Sequence, residues 1–122
     1  METAMTRRMI SAHFSLDEFA CRCGRGHSQI EPPRALIDGL EKLRELLGGR
    51  PIIITSGHRC ADHNAAVGGV PRSSHLTACA ADIVVHGVRP SEIATLVKFC
   101  VPTLRALPYD RKGYTHIDLR DA

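Results

Sequence analysis

The sequence predicts a single α+β domain, with helices packed on one face of a small, largely antiparallel sheet. Three observations predict it. Leucines at 36, 40, 43 and 47 recur at helical spacing in one segment. Short β-branched or alternating runs, 51–55 and 80–85, stand between the helical segments. Near the C-terminus, two further runs, 104–109 and 114–119, flank Asp110-Arg111-Lys112-Gly113, which reads as a hairpin.

Taken in chain order, residues 1–12 read as a polar, loosely held lead-in, and 13–122 as the domain. Ser15-Leu16-Asp17-Glu18 has the capping-box pattern that opens a short helix, with Phe14 and Phe19 offered to the core. Residues 21–30 are a Gly/Cys-rich loop. Pro32 and Pro33 precede the leucine-striped helix, which Gly48-Gly49 stops. The run 51–55 reads as a buried strand, 61–67 as one or two helical turns, and 80–85 as a second strand carrying Asp82. Pro90 sets up a helix through Cys100 that ends before Pro102.

Composition narrows the function classes. The chain has 122 residues, 43% hydrophobic and 24% charged, which is ordinary for one globular domain. Net charge is only +3, aromatics are 4% and Trp is absent, so no nucleic-acid partner and no base-stacking platform is expected. No stretch approaches the roughly 20 apolar residues that span a bilayer. The N-terminus has Arg7 and Arg8 but no apolar segment of a secretory signal, so synthesis in the cytoplasm is expected. Five cysteines, at 21, 23, 60, 79 and 100, give no paired framework and read as reduced thiols. A monomer is expected.

The chemistry concentrates in three residues. His75 and Asp82 stand close together in the sequence, and His116 follows in Tyr114-Thr115-His116-Ile117-Asp118. Two imidazoles and a carboxylate are what a catalytic zinc ion requires, with a fourth position left for water. If Asp82 and His116 sit on neighbouring strands, their side chains converge. Strand alternation puts Tyr114, His116 and Asp118 on one face. Read alone, His75 is a loop histidine and Asp82 a cap, and the H-x6-D spacing by itself is weak.

The surroundings add weight. Ser56-Gly57-His58-Arg59, His63-Asn64, Val67-Gly68-Gly69, Ser73-Ser74-His75, Ala80-Ala81-Asp82-Ile83 and Thr115-His116-Ile117-Asp118 occur in this order. Together they resemble the zinc D-alanyl-D-alanine carboxypeptidases, a family that includes phage endolysins and peptidoglycan endopeptidases. The resemblance runs from Phe14 to Arg120. It implies zinc ligands at His75, Asp82 and His116, and a guanidinium at Arg59 that holds a substrate carboxylate in a bidentate pair. It also implies a substrate or loop contact from Ser73, and peptidoglycan peptides as substrate. Many members carry Gly where this chain has Ala78, and two further positions depart from the pattern. Several members carry an acidic residue three positions before the last ligand, where this chain has Gly113, and some carry a histidine where it has Tyr114. The ending instead resembles a shorter branch that closes on H-x-D. Asp118 then either takes a proton from the zinc water or orients His116. Tyr114 either polarises the scissile carbonyl or packs.

Other groups read as structural. Cys21-x-Cys23 with His27 is poor zinc-ribbon spacing. Cys79 lacks a partnered base, and His58, His63 and His86 read as exposed or locally satisfied. The expected activity is therefore a zinc peptidase on cell-wall stem peptides, acting on the wall after release from the cell. The alternative is a zinc-bearing wall-binding or phage structural module without catalysis. An iron oxygenase facial triad fails for want of a later histidine and of enough strands.

Overall fold

The computed structural model describes residues 8–21, 31–57, 61–67, 75 and 79–120, with the backbone alone at 61–63. Arg59, Ser73, His58, Cys23 and His27 lie outside the described residues. Of the lead-in, residues 8–12 turn back on the chain. Leu16 N–H donates to the Arg8 carbonyl at 2.9 Å and Met9 pairs with Ser15. The turn is completed by a 3-10 helix over Leu16–Phe19, whose capping box has the Glu18 carboxylate accepting from Ser15 N–H at 2.7 Å.

Helix α1 covers Arg34–Leu46 and starts directly after Pro33, where a missing N–H costs nothing. Its Leu36, Leu40 and Leu43 are buried as the leucine spacing predicts, together with Ile37, whereas Leu47 caps the helix end and is half-buried. Gly48, at φ 74°, ends it in a left-handed conformation that other residues resist. Strand β1 (Ile53–Ser56) follows. Pro51 and Ile52 fall outside it, since Pro51 brings no N–H to the ladder, although Ile52 is still buried in the core. Helix α2 covers Ala61–Ala66, β2 Ala80–Val84, and α3 Pro90–Cys100. Strands β3 (Leu104–Tyr109) and β4 (Tyr114–Leu119) form the expected hairpin. Gly113 closes its turn at φ 81°, with its N–H on the Tyr109 carbonyl at 2.8 Å.

The four strands make one antiparallel sheet in the order β1-β2-β4-β3. One face carries Ile54, Ala81, Ile83, Ile117 and Leu104 into a core shared with Leu36, Ile37, Leu40 and Leu43 of α1 and Ile93 and Val97 of α3. The approach of α1 to β3 is close: a Cβ at Gly39 would stand 2.7 Å from the Leu104 side chain. Burying this face is the main stabilising term. The other face carries Asp82, His116 and Asp118, because side chains alternate along each strand. The fold is the α+β architecture expected from the sequence. No helix among the described residues is long and apolar enough to cross a membrane.

Candidate metal centre

Register builds the site. Asp82 on β2 and His116 on β4 are direct cross-strand partners. Ser56 of β1 pairs with Asp82 on the other side, across a bulge that leaves Thr55 out of register. Thr55 uses its hydroxyl to donate to the Asp82 carbonyl at 3.2 Å, which holds the bulge against β2. His75 reaches the same point from outside the sheet. The donor atoms of His75, Asp82 and His116 all lie within 4.8 Å of one another. His75 and Asp82 are buried, and His116 is half-buried, so the group opens on the His116 side.

Each imidazole lies between two acceptors. His75 Nδ1 stands 2.6 Å from the Gly57 carbonyl, and its Nε2 stands 3.2 Å from Asp82 Oδ1. His116 Nδ1 stands 3.0 Å from the same Oδ1, and its Nε2 stands 3.0 Å from Asp118 Oδ2. A carbonyl and an ionised carboxylate only accept, and a neutral imidazole has one N–H. If His75 donates Nδ1–H to Gly57 and His116 donates Nε2–H to Asp118, two nitrogen lone pairs are left facing Asp82 Oδ1. Three electron-rich atoms then converge with no proton among them. A shared cation satisfies that arrangement. Without one, a proton on an inward ring nitrogen must take its place.

The titration behaviour agrees. Burial would lower the His116 pKa, but hydrogen bonds to Asp82 and Asp118 outweigh it and hold it above the usual histidine value. Burial would likewise raise Asp82, yet the contacts from His116 and His75 hold it far below the ordinary carboxylate range. The site therefore attracts positive charge. The donor set suits zinc: two imidazole nitrogens, one carboxylate oxygen, and an acceptor behind each ring to fix its orientation.

Asp118 is buried although it lies on the same face as His116. Arg105, its cross-strand partner on β3, covers it. The guanidinium donates from Nε to Oδ1 at 2.9 Å and from Nη2 to Oδ2 at 2.6 Å. Burial alone would raise the Asp118 pKa, but Arg105 and His116 together hold it below the usual range.

A family model described as Peptidase M15 matches residues 12–118. The chain belongs to the Peptidase M15 family. No curated protein matches this M15 chain. Family membership supports a metallopeptidase, and the converged His75, Asp82 and His116 are the group that could hold its metal. Tyr114 lies on the His116 face, half-buried, with its ring 4.9 Å from that of Tyr109. Of the other polar groups weighed from the sequence, His86 is exposed, while Cys21 and Cys79 are half-buried.

Sequence reasoning missed two groups that contact the candidate centre. One is the Gly57 carbonyl, a backbone atom with no signature in the side-chain pattern. The other is Arg105, which the predicted hairpin already implied: pairing Tyr109 with Tyr114 and counting four residues outward on each strand sets Arg105 against Asp118. The turn also explains Gly113. A left-handed φ is required there, and an acidic side chain at that position would be strained.

Proposed function

We propose that this chain is a zinc-dependent peptidase that hydrolyses peptidoglycan stem peptides, at a D-alanyl-D-alanine end or at an internal D-amino-acid linkage. The observation that carries the reading is the meeting of His75, Asp82 and His116 in a chain of the M15 family. These three residues would hold the ion. Bound there, zinc supplies a Lewis acid for the scissile carbonyl and a water acidic enough to attack near neutral pH.

The chain's own residues take the remaining roles. The Gly57 carbonyl and the Asp118 carboxylate hold protons on the outward nitrogens of His75 and His116, which keeps the inward lone pairs available. Of the two roles open to Asp118, orientation is the better supported. Oδ1 already accepts from Arg105, Oδ2 accepts from both Arg105 and His116, and the group's pKa is depressed, so it is a poor base. Tyr114, on the His116 face, is assigned to the carbonyl oxygen, where a phenol stabilises developing negative charge. Arg59 is assigned to the substrate carboxylate and Ser73 to the substrate or its loop, on the strength of the resemblance. The enzyme is read as a monomer that acts on the cell wall.

The departures at Gly113 and Tyr114 favour one second reading: a zinc-bearing wall-binding or phage structural module without hydrolysis. Digestion of purified peptidoglycan with mass spectrometry of the products separates the two. The proposed activity releases free D-alanine or new amino termini, and His116→Ala abolishes that release while circular dichroism shows the fold retained. Pulldown on the wall with no released peptide supports the binding module. A His116→Ala protein that cleaves like the parent refutes the peptidase reading.

A further inference from the structure

The geometry points to Arg105 as a positioning residue of the metal centre, acting through Asp118 to aim the inward nitrogen of His116 at the ion. The inference rests on the metal-binding reading above and adds a third strand to the site. The three proposed ligands come from β2, β4 and the segment at 75, whereas Arg105 belongs to the edge strand β3.

Asp118 has a side chain 3% exposed, whereas that of Arg105 is 56% exposed. A carboxylate buried to that degree needs hydrogen-bond donors, and the guanidinium supplies two. It also supplies direction. The terminal torsion of an aspartate is broad, so a carboxylate held at one oxygen swings. Arg105 grips both oxygens, from Nε and Nη2, and so fixes the carboxylate plane. In that plane Oδ2 lies 3.0 Å from His116 Nε2. The Nε2–H is thereby fixed outward, and Nδ1 is left facing Asp82 Oδ1 at 3.0 Å. A lysine offers a point charge without the fork, so it cannot set the plane. The register makes this construction local: Arg105 pairs with Asp118, and Leu107, two residues on, pairs with His116.

The experiment is a double-mutant cycle read by Zn²⁺ affinity. The parent, Arg105→Gln, Asp118→Asn and the double variant are each titrated with Zn²⁺ against a chromogenic chelator. Loss of an orienting partner behind a ligand histidine weakens metal binding on the order of 10–100-fold. Arg105→Gln is expected to bind at least about 10-fold more weakly than the parent. In the Asp118→Asn background, removing Arg105 is expected to change nothing further, a coupling that a merely structural arginine does not produce. ¹⁵N NMR of the zinc-loaded proteins gives an independent readout, valid even if Asp118→Asn folds poorly. The His116 Nε2–H signal, sharp and hydrogen-bonded in the parent, broadens in Arg105→Gln. Parent-like affinity and an unchanged His116 signal in Arg105→Gln overturn the inference while leaving the metal centre standing. A parent that takes up no Zn²⁺ overturns both.

Discussion

Thr115 stands between Tyr114 and His116 and faces the core, opposite Ile83 on β2. Its Oγ1 is buried without a hydrogen-bond partner, the single such side-chain atom among the described residues. A hydroxyl shut away from water without a partner costs free energy, while its methyl group packs usefully. Thr115→Val keeps the shape and removes the oxygen. It is expected to stabilise the protein by about 1 kcal/mol in urea denaturation, with zinc affinity unchanged. A destabilised valine variant means that the hydroxyl has a partner in solution. The contrast with the neighbouring residue is instructive. His116 faces the other side of the sheet, where both ring nitrogens are engaged. One step along a strand separates a core position from one on the face of the candidate site.

The end of β1 shows how an element sets a site without contributing a ligand. Gly57 follows Ser56 and packs against the 3-10 helix Leu16–Phe19. A Cβ there would lie 2.6 Å from Phe19 Cα and 2.7 Å from its carbonyl oxygen. Those are backbone atoms, which do not swing aside. The same residue presents its carbonyl to His75. Gly57→Ala must therefore push β1 from the helix and move the acceptor that orients the ring. The expected result is a loss of about 1–3 kcal/mol in stability with chelator present, from overpacking. Weaker zinc binding accompanies it. An alanine variant as stable as the parent, with the same zinc affinity, removes Gly57 from the account. The hairpin elements were legible in advance, because alternating runs around a four-residue turn dictate their own register. The bulge at Thr55 was not, since nothing in 51–55 marks an extra residue against β2.

Across the molecule, the proposed metal site makes proton and metal competitors for one place. His116 has a raised pKa in the folded, metal-free protein. Its contribution to stability is fully present below the unfolded histidine value of about 6.5 and is lost as pH rises through the folded value above it. Asp82 and Asp118 are lowered, so their contributions are present above the unfolded carboxylate value of about 3.9 and are lost as pH falls through the folded values. The metal-free protein is thus held best between about pH 4 and 6.5 and weakens above that. Zinc requires the unprotonated ring, so its binding strengthens over the range where the apoprotein weakens. The gap between melting temperatures with zinc and with chelator is expected to widen from pH 5.5 to pH 8. A gap that stays constant or narrows contradicts a shared site for proton and metal.

Several features were determined by the amino-acid order alone. The spacing of Leu36, Leu40 and Leu43, the glycines at 48 and 113, and the alternation from Tyr114 to Asp118 each specify a local conformation and the face a side chain takes within its own element. The donor types at 75, 82 and 116 are likewise visible in the chain. Tertiary structure alone decided which imidazole nitrogens face Asp82, that Asp118 is held at both oxygens, and that a glycine carbonyl and an edge-strand arginine contact the candidate centre. The physical reason is that periodicity acts within one segment. Hydrogen-bond partners such as Gly57 with His75 join segments far apart in the chain, and only the packing of the sheet and its turns brings them within reach.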